Sequence, residues 1–585
     1  MSRLLPFPLL IALLCLITNT SISQRVSISL DGSPPDSSAI LDVRGVSGGL
    51  LIPRMTMPQR MAIPAPTTGL LVFQIDSSVG FFYFNGVTWH RLSTEYGGWK
   101  THGNAGTTPD HFIGTTDNRP LRFRVHDIPA GMIDSSQFNT TFGFKSLYSN
   151  EAGTENTAIG FRSLFLNEDG MSNSALGVGS LMSNTSGDNN TAVGSDALNS
   201  STEGNENTVS GAEAMYFNMT GDQNTASGAR SLYNNRRGSN NSSLGWRSQY
   251  GNMIGSDNSA VGAAALFSNK YGSNNTAVGS GALYHSVGGS LATAIGYHAM
   301  HNANDTNLVY ANFAVAIGYN ALRGSTSPSL NTGNFNTAIG YQSQVNFSSG
   351  SRNTTAGYHS LYTNTIGNDN TALGHTALSE LLDGNKNTAV GAQAFLTDTS
   401  FTNSTAIGYG TVIDASHSVR LGNMDVTSIG GYADWTNVSD GRLKTDVTPS
   451  VVGIDFINLL HPVTYRLDMN AIAQFHNIPD SLRDLDSEQI KGSLVQSGFI
   501  AQDVEIAAQS SGYDFSGVDK PSGPNAHYGL RYAQFVVPLV KAVQEQQSQI
   551  EALTALVNGL INENAQLSKD LDGVIHAQAD VKNPE

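Results

Sequence analysis

Between Asn139 and Val412 the chain repeats a short alternation of polar and apolar positions. Runs such as NTAIG at Asn156 and NTAVG at Asn275 place Thr and an apolar residue on one side of a strand and Ala on the other. Thirteen of the fifteen intervals between successive glycines are 17 residues, and the other two are 22. This fixed period predicts a stacked solenoid. The glycines are Gly143, Gly160, Gly177, Gly194, Gly211, Gly228, Gly245, Gly262, Gly279, Gly296, Gly318, Gly340, Gly357, Gly374, Gly391 and Gly408.

Each repeat carries two apolar positions, and we predict that both face the core from separate short strands. One repeat cannot bury them alone, but stacked repeats can. Turn-forming Gly, Asn, Ser and Asp lie between them, and the 22-residue intervals predict five-residue loop insertions. The alternative, a disordered low-complexity tract, does not require apolar residues in phase. The positions are those before Gly (Ile159, Val193, Val261, Ile295, Ile339, Val390) and four after it (Leu147, Leu164, Leu198, Met215, Leu283, Leu378, Phe395).

The repeats resemble the head repeats of trimeric autotransporter adhesins. The likeness rests on the A-[IV]-G core, although the period here is longer than is usual in that family. It implies a parallel β-roll in a homotrimer. The handedness of the coil stays open.

Residues 1–23 have the pattern of a secretory signal peptide. Arg3 precedes the apolar run Leu9–Ile17, which is too short to span a bilayer, and small residues precede Gln24. We therefore expect cleavage before Gln24 and a secreted or cell-surface protein, with an uncleaved anchor as the alternative. Cys15, the only cysteine, lies inside the apolar run, so the mature chain has none.

Residues 24–95 are predicted to form a β-rich module, and residues 96–138 a β connector or cap. Strands are expected at residues 37–43 and 69–73, with a hairpin around Asn85-Gly86. The SAILDV, PRMT and FNGVTW runs resemble an N-terminal module of Bacteroidetes tail-fibre-like proteins, which carry similar runs, the last of them as YNGxxW. The expected role is attachment or an end cap, and the sequence favours neither.

Composition favours an exported, elongated protein. Charged residues make up 13% of the chain and the net charge is −16, which repels nucleic acid and anionic membrane surfaces. No later segment is apolar enough to span a membrane once the signal is removed. No HExxH motif, P-loop or cysteine cluster occurs, so we predict no cofactor and no metal.

Composition changes after Trp435, beyond a predicted β connector at residues 413–438. SDGRLK at Ser439, LLHPVTY at Leu459 and GFIAQDV at Gly498 follow in that order. This order resembles the endosialidase-type intramolecular chaperone domain of phage tailspikes, here residues 439–535. The resemblance implies an α+β trimer that assists assembly of the preceding fibre. It also implies a catalytic dyad of Ser439 and Lys444 that cuts the Val438–Ser439 bond.

Serine needs a base, and lysine serves only when burial or nearby cations lower its pKa. Spacing of five puts Ser439 and Lys444 on opposite faces of a strand and far apart on a helix. Either a turn at Asp440-Gly441 folds the segment back, or the partner comes from another subunit. Asp440 and Arg442 are the supporting residues: Asp440 shapes the turn, and Arg442 helps to keep Lys444 neutral. A plain surface turn with a lone lysine is the alternative.

The tail, residues 536–575, is a heptad run and predicts a coiled coil. Most a positions are β-branched, and Pro538 marks the first helical turn. The fibre resemblance implies three strands. The alternative is one amphipathic helix packed on the chaperone domain. The a positions are Val536, Val543, Ile550, Val557, Asn564 and Leu571, and the d positions are Leu539, Gln546, Leu553, Leu560 and Leu567.

The predicted fold is mainly β: a parallel β-roll or solenoid over residues 139–412, a small α+β chaperone domain and a trimeric coiled coil. The predicted function is an exported homotrimeric, adhesin-like fibre. Its enzymatic activity is at most one turnover of self-cleavage by a Ser-Lys dyad. Expected partners are the other two chains and a surface glycan or a host or cell-surface receptor. A tailspike-like glycan-binding or glycan-degrading protein is the alternative, and degradation is disfavoured because no recurring carboxylate pair stands out.

Overall fold

The computed structural model describes residues 25–92, 103–395, 400–521 and 526–581. The predicted signal peptide lies outside the described residues. The chain divides into two compact units, residues 1–114 and 115–585.

The first unit contains two small sheets. β1 (Val26–Ser29) and β2 (Leu41–Arg44) pair in parallel. The second sheet holds the predicted hairpin, in which Phe84 pairs with Trp89 across the loop containing Asn85-Gly86. A helix, α1 (Met57–Met61), is capped by Thr56. The strands of this second sheet, in spatial order, are β3 (Arg54–Met55), β4 (Leu71–Gln74), β5 (Gly80–Phe84) and β6 (Trp89–Arg91).

The second unit begins with an antiparallel meander that leads into a solenoid. β7 (Leu121–Val125) pairs with β8 (Ile128–Asp134), which pairs with β9 (Asn139–Phe142). From β9 onward each coil contributes one strand that pairs in parallel with the next. The remaining strands are β10 (Thr157–Ile159), β11 (Ser174–Leu176), β12 (Thr191–Val193), β13 (Thr208–Ser210), β14 (Thr225–Ser227), β15 (Ser242–Leu244), β16 (Ser259–Val261), β17 (Thr276–Val278), β18 (Gly289–Ser290), β19 (Thr293–Ile295), β20 (Tyr310–Ala311), β21 (Val315–Ile317), β22 (Thr337–Ile339), β23 (Thr354–Ala356), β24 (Thr371–Leu373), β25 (Thr388–Val390), β26 (Thr405–Ile407) and β27 (Val419–Leu421).

The register confirms the predicted parallel solenoid of about 17-residue repeats. Thr157 pairs with Ser174, and each later partner lies 17 residues on until β19. Across the two longer intervals, Thr293 pairs with Val315 and Val315 with Thr337, so the extra residues leave the ladder as loops. One loop supplies β20, which pairs with β18 outside the main ladder.

The core is lined by only one of the two predicted apolar sets. Residues four after each glycine are buried, as Leu164 and Leu283 illustrate. The prediction that the residue before each glycine also faces the core is wrong. Ile159 and Ile295 lie on the exposed side of their strands, and the alanine before each is buried. The large side chains four residues after each glycine, here called the leucine row, fill most of the narrow space inside the coil. The strand therefore turns its small alanine inward.

The repeat glycines are required by close approach of successive coils. At Gly194 φ is +132°, and a Cβ would lie 2.6 Å from the carbonyl oxygen of Gly211. Side chains are excluded there both by the backbone conformation and by contact with the next coil.

Buried asparagines form a second ladder along the solenoid. The side-chain oxygen of each asparagine accepts the backbone N–H of the asparagine one coil later, at 2.8 to 3.1 Å, and the last one accepts the N–H of Ala292. The sequence suggests only turns at these positions, yet the side chains satisfy backbone groups inside the coil. The members are Asn139, Asn156, Asn173, Asn190, Asn207, Asn224, Asn241, Asn258 and Asn275.

The C-terminal part is a small mixed α and β region around an aromatic core. Phe456 and Phe515 pack with Val504 and Ala507, and Phe515 meets Phe535 edge to face at 4.8 Å. Two pairs of short antiparallel strands complete it. The elements are α2 (Ile454–Ile457), β28 (Val463–Tyr465), α3 (Met469–Phe475), α4 (Leu485–Ser493), β29 (Gln496–Gly498), α5 (Ala501–Ser510), β30 (Val518–Asp519) and β31 (Gly529–Leu530).

The last element that the structure describes is one long helix, α6 (Val536–Val581). Its first turns pack on this region: Ala542 is buried, and Glu545 accepts the backbone N–H of Ile454 at 2.8 Å. From residue 546 to 578 every side chain is exposed. The alternative of a helix packed along its length on the chaperone domain is therefore wrong for these residues. Among the described helices, none has the length and apolar character needed to cross a membrane.

Candidate self-cleavage site in the C-terminal region

A short 3₁₀ turn, residues Gly441–Leu443, brings Ser439 and Lys444 together. Asp440 caps the turn by accepting the backbone N–H of Arg442 at 2.9 Å. The backbone N–H of Lys444 then donates to the Gly441 carbonyl, which closes the reversal. The turn forms locally because Asp accepts well from the backbone at such a position and Gly adapts to the bend.

The Lys444 Nζ lies 2.8 Å from the Ser439 Oγ, within one chain. This distance is in the range that a nucleophile and its base require. The spacing allowed either a turn within the chain or a partner from another subunit, and the fold contains the turn. In the state described, the amine donates to the hydroxyl, whereas a base must accept the hydroxyl proton.

Arg442 is engaged by Asp440 rather than directed at Lys444. Its guanidinium pairs with both carboxylate oxygens of Asp440. The hydrogen bonds from Arg442 hold the pKa of the Asp440 carboxyl below its usual range. The Arg442 charge is therefore paired with Asp440 within the turn.

The site is open to solvent within a single chain. Ser439 and Lys444 are exposed, and Val438, the residue on the other side of the predicted scissile bond, is 83% exposed. Three further large apolar side chains, Trp435, Leu443 and Val447, are also exposed beside it. The turn therefore sets the distance between Ser439 and Lys444, but the described residues of the same chain leave Lys444 exposed to water.

Sequence comparison places two known families at the two ends of the chain. Residues 29–108 match a family described as phage tail like trimerisation region, and residues 439–513 match the chaperone of endosialidase. Comparison with curated proteins gives no significant match. The roles predicted for the N-terminal module were attachment or a cap, and the match adds trimerisation. The chain thus carries a phage tail-like trimerisation region, a β-solenoid and an endosialidase-type chaperone region, which together fit a trimeric fibre whose C-terminal region helps its assembly.

Proposed function

We propose that the protein is an exported homotrimeric, adhesin-like surface fibre that cuts off its own chaperone after assembly. The observation that carries the trimeric part is the row of exposed apolar side chains at the heptad positions of α6, among them Ile550, Leu553 and Leu560. Exposed apolar surface of this extent marks an interaction site, and a heptad row is covered when helices pair along it. Residues 536–575 are accordingly proposed to form a three-stranded coiled coil.

The solenoid offers a second surface for the same assembly. We call it the solenoid stripe: the exposed apolar residues that precede the repeat glycines. Parallel association of identical chains would place three such stripes side by side, as closed symmetry requires. The members are Phe142, Ile159, Leu176, Val193, Leu244, Val261, Ile295, Ile317, Ile339, Leu373, Val390 and Ile407.

Self-cleavage follows from the Ser439 and Lys444 contact if Lys444 is neutral. The amine takes the Oγ proton, and the Oγ bonds to the Val438 carbonyl carbon. The carbon–nitrogen bond breaks, the Ser439 nitrogen receives the proton from Lys444, and an ester links Val438 to the serine oxygen. Water then hydrolyses the ester, which releases the Val438 carboxylate and restores the serine hydroxyl. Neighbouring chains are the proposed source of the burial that lowers the Lys444 pKa, so the reaction waits for the trimer.

A denaturing gel of the expressed chain, with N-terminal sequencing of the small band, tests the cleavage. We expect a fragment that begins at Ser439 in the wild type, and an uncut but assembled trimer for Ser439→Ala and for Lys444→Ala. Arg442→Ala is the matched control, since it removes a neighbouring cation outside the dyad, and it should still be cut. A single full-length wild-type band contradicts self-cleavage, and a cut that persists in Ser439→Ala indicates another protease.

Glycan binding is a second candidate function, and one feature of the solenoid favours it. Stacked aromatic rings follow one another on successive coils, with centroids 4.8 to 5.5 Å apart. Beside them lies a cleft of about 650 Å³, walled at one end by the loop of the first long interval through Asp305 and Asn307. The rings belong to Tyr216, Tyr233, Tyr250, Phe267, Tyr284 and His301.

The charges of the cleft favour an acidic oligosaccharide. Arg236 and Lys270 line it at the same repeat position two coils apart, roughly 10 Å along the axis. Neither forms an ion pair with any residue that the structure describes. Because a carboxylate or sulfate can pair with each cation while sugar rings contact aromatic side chains, both groups would be used. The lining supplies one carboxylate, Asp305, whereas glycoside hydrolysis ordinarily uses two, so binding is favoured over hydrolysis.

A glycan array probed with the purified fibre tests this second function. We expect the fibre to bind the acidic glycans of the array. Its affinity for them should fall at least tenfold in the Arg236→Ala, Lys270→Ala double variant. Arg237→Ala is the matched control, because Arg237 is an exposed neighbour outside the cleft lining. Equal binding of neutral glycans, or equal loss in the control, contradicts the cleft.

A further inference from the structure

The last solenoid coil and the chaperone region meet through a buried carboxylate. Asp414 follows the last core residue of the coil, Ile413, and its side chain is 6% exposed. Its carboxylate pairs with Arg420 at 2.9 Å from its own coil, and with the Nδ1 of His527 at 3.0 Å from the chaperone region. Burial alone would raise the pKa of Asp414, but the hydrogen bond with His527 and the charge of Arg420 outweigh it, so the pKa lies below its usual range.

A second contact crosses the same boundary. The Lys491 Nζ, on α4, donates to the backbone carbonyl of Val426 at 2.6 Å. Lys491 is half-buried, and this burial lowers its pKa. Between the two contacts lies a cavity of about 250 Å³, lined by Val412 and Met424 of the coil side and by Leu467 and Ile472 of the chaperone side, among others.

Both contacts join residues on opposite sides of the predicted cut. Asp414 and Val426 precede Val438, while Lys491 and His527 follow Ser439. The chain between them, residues 427–439, is exposed throughout. Cutting this segment therefore removes the covalent link and leaves both junction contacts in place.

We propose that the Asp414–His527 and Lys491–Val426 contacts form a latch that keeps the C-terminal fragment bound to the last coil after the chain is cut. The inference rests on the proposed cleavage at residues 438–439. Each latch is small, but three copies joined through one coiled coil act together. Such linkage binds the C-terminal fragments to the last coils far more strongly than one latch would. Cleavage and release are thus separate events.

The test uses a cut that does not depend on self-cleavage. The recognition sequence of a site-specific protease is placed in the exposed segment 427–438 of full-length Ser439→Ala chain. After digestion, we expect the two fragments to co-elute in size-exclusion chromatography under native conditions. His527→Ala and Lys491→Met, each made in this background, should release the C-terminal fragment at least about 30-fold faster, because each removes one junction contact from all three chains.

The matched control is Asp519→Asn, which removes an ion pair with Arg531 that lies wholly within the C-terminal fragment. The two fragments of this variant should co-elute as those of the parent do. Parent fragments that separate at once would overturn the latch, and so would release rates in both junction variants equal to that of the control. Circular dichroism before digestion shows whether a variant is folded. Failure of self-cleavage would instead appear as an uncut wild-type chain, and it leaves this test unaffected.

Discussion

Ala294 and Ile295 are neighbours on strand β19, yet Ala294 is fully buried and Ile295 is 37% exposed. The alternation of a strand puts them on opposite sides. The inner side meets the leucine row of the same chain, and the outer side belongs to the solenoid stripe. Adjacent substitutions should therefore have different consequences, one for the coil and one for assembly.

Ala294→Asp should unfold the coil, because an unpaired charge would be buried in a space that fits a methyl group. We expect a loss of about 3–5 kcal/mol in the free energy of unfolding. Ile295→Asp should have a much smaller effect on the coil and should weaken association of the chains. Chemical denaturation followed by circular dichroism, in the Ile550→Asp background that opposes assembly, measures the first effect. Equal destabilisation by both substitutions would contradict the outward position of Ile295.

The asparagine ladder should contribute strongly to stability. Asn224→Ala removes the acceptor of the Asn241 backbone N–H, which would stay buried without a partner, and one of the two donors to the Gly238 carbonyl, which keeps its bond from Asn235. One unsatisfied buried donor together with the lost hydrogen bonds predicts a loss of about 2–5 kcal/mol. Asn346→Ala, which removes an exposed side-chain bond to the Tyr362 carbonyl, is the matched control and should cost under about 1 kcal/mol. Similar melting temperatures of the two variants would rule out the ladder as a major source of stability.

The heptad positions of α6 should decide the oligomeric state. Ile550→Asp is expected to disrupt the trimer without unfolding the chain, because the Ile550 side chain is exposed within one chain. The buried charge should weaken association by about 3–5 kcal/mol. Sedimentation equilibrium should give three chains for wild type and fewer for the variant, with Ser548→Asp, outside the a and d positions, as control. A wild-type mass of one or two chains would contradict the homotrimer.

Stability should fall in mild acid because of His301. Burial lowers the pKa of this histidine to about 4 from its ordinary 6.5, although its Nδ1 hydrogen bond with the Gly281 carbonyl opposes the shift. His298, His285 and Arg323 also disfavour a charge there. The unfolded chain binds the proton first, so this contribution is complete above pH 6.5 and is lost as pH falls towards 4.

The slope of unfolding free energy against pH between 6.5 and 4 measures the effect. His301→Phe keeps an aromatic ring in the stacked row and removes the titrating group, so the slope should become shallower. A slope unchanged in this variant would assign the acid sensitivity to His298 or His285, whose pKa values burial also lowers.

The repeat period was sufficient to predict the solenoid, because in-register stacking demands that like positions recur. It could not show which strand face is inside: Thr and Ile share a face in any strand, and only the position of the leucine row decides. The sequence predicts turns at the asparagines, because asparagine suits a turn as well as it suits a buried ladder. At the candidate site, the spacing of Ser439 and Lys444 allowed two arrangements. The turn forms because Asp440 caps it, and the sequence alone does not require this cap.

The uniform register of the coils has a consequence for how such a fibre changes over generations. In the part of the chain that the structure describes, the coils from β10 to β17 pair strand on strand with the coils on their two sides, at positions 17 residues apart. An in-frame duplication or deletion of one such coil keeps this register and alters the length of the solenoid by about 4.8 Å. Length is thus a trait that this gene can adjust in equal small steps, independently of the surface chemistry that any one coil displays.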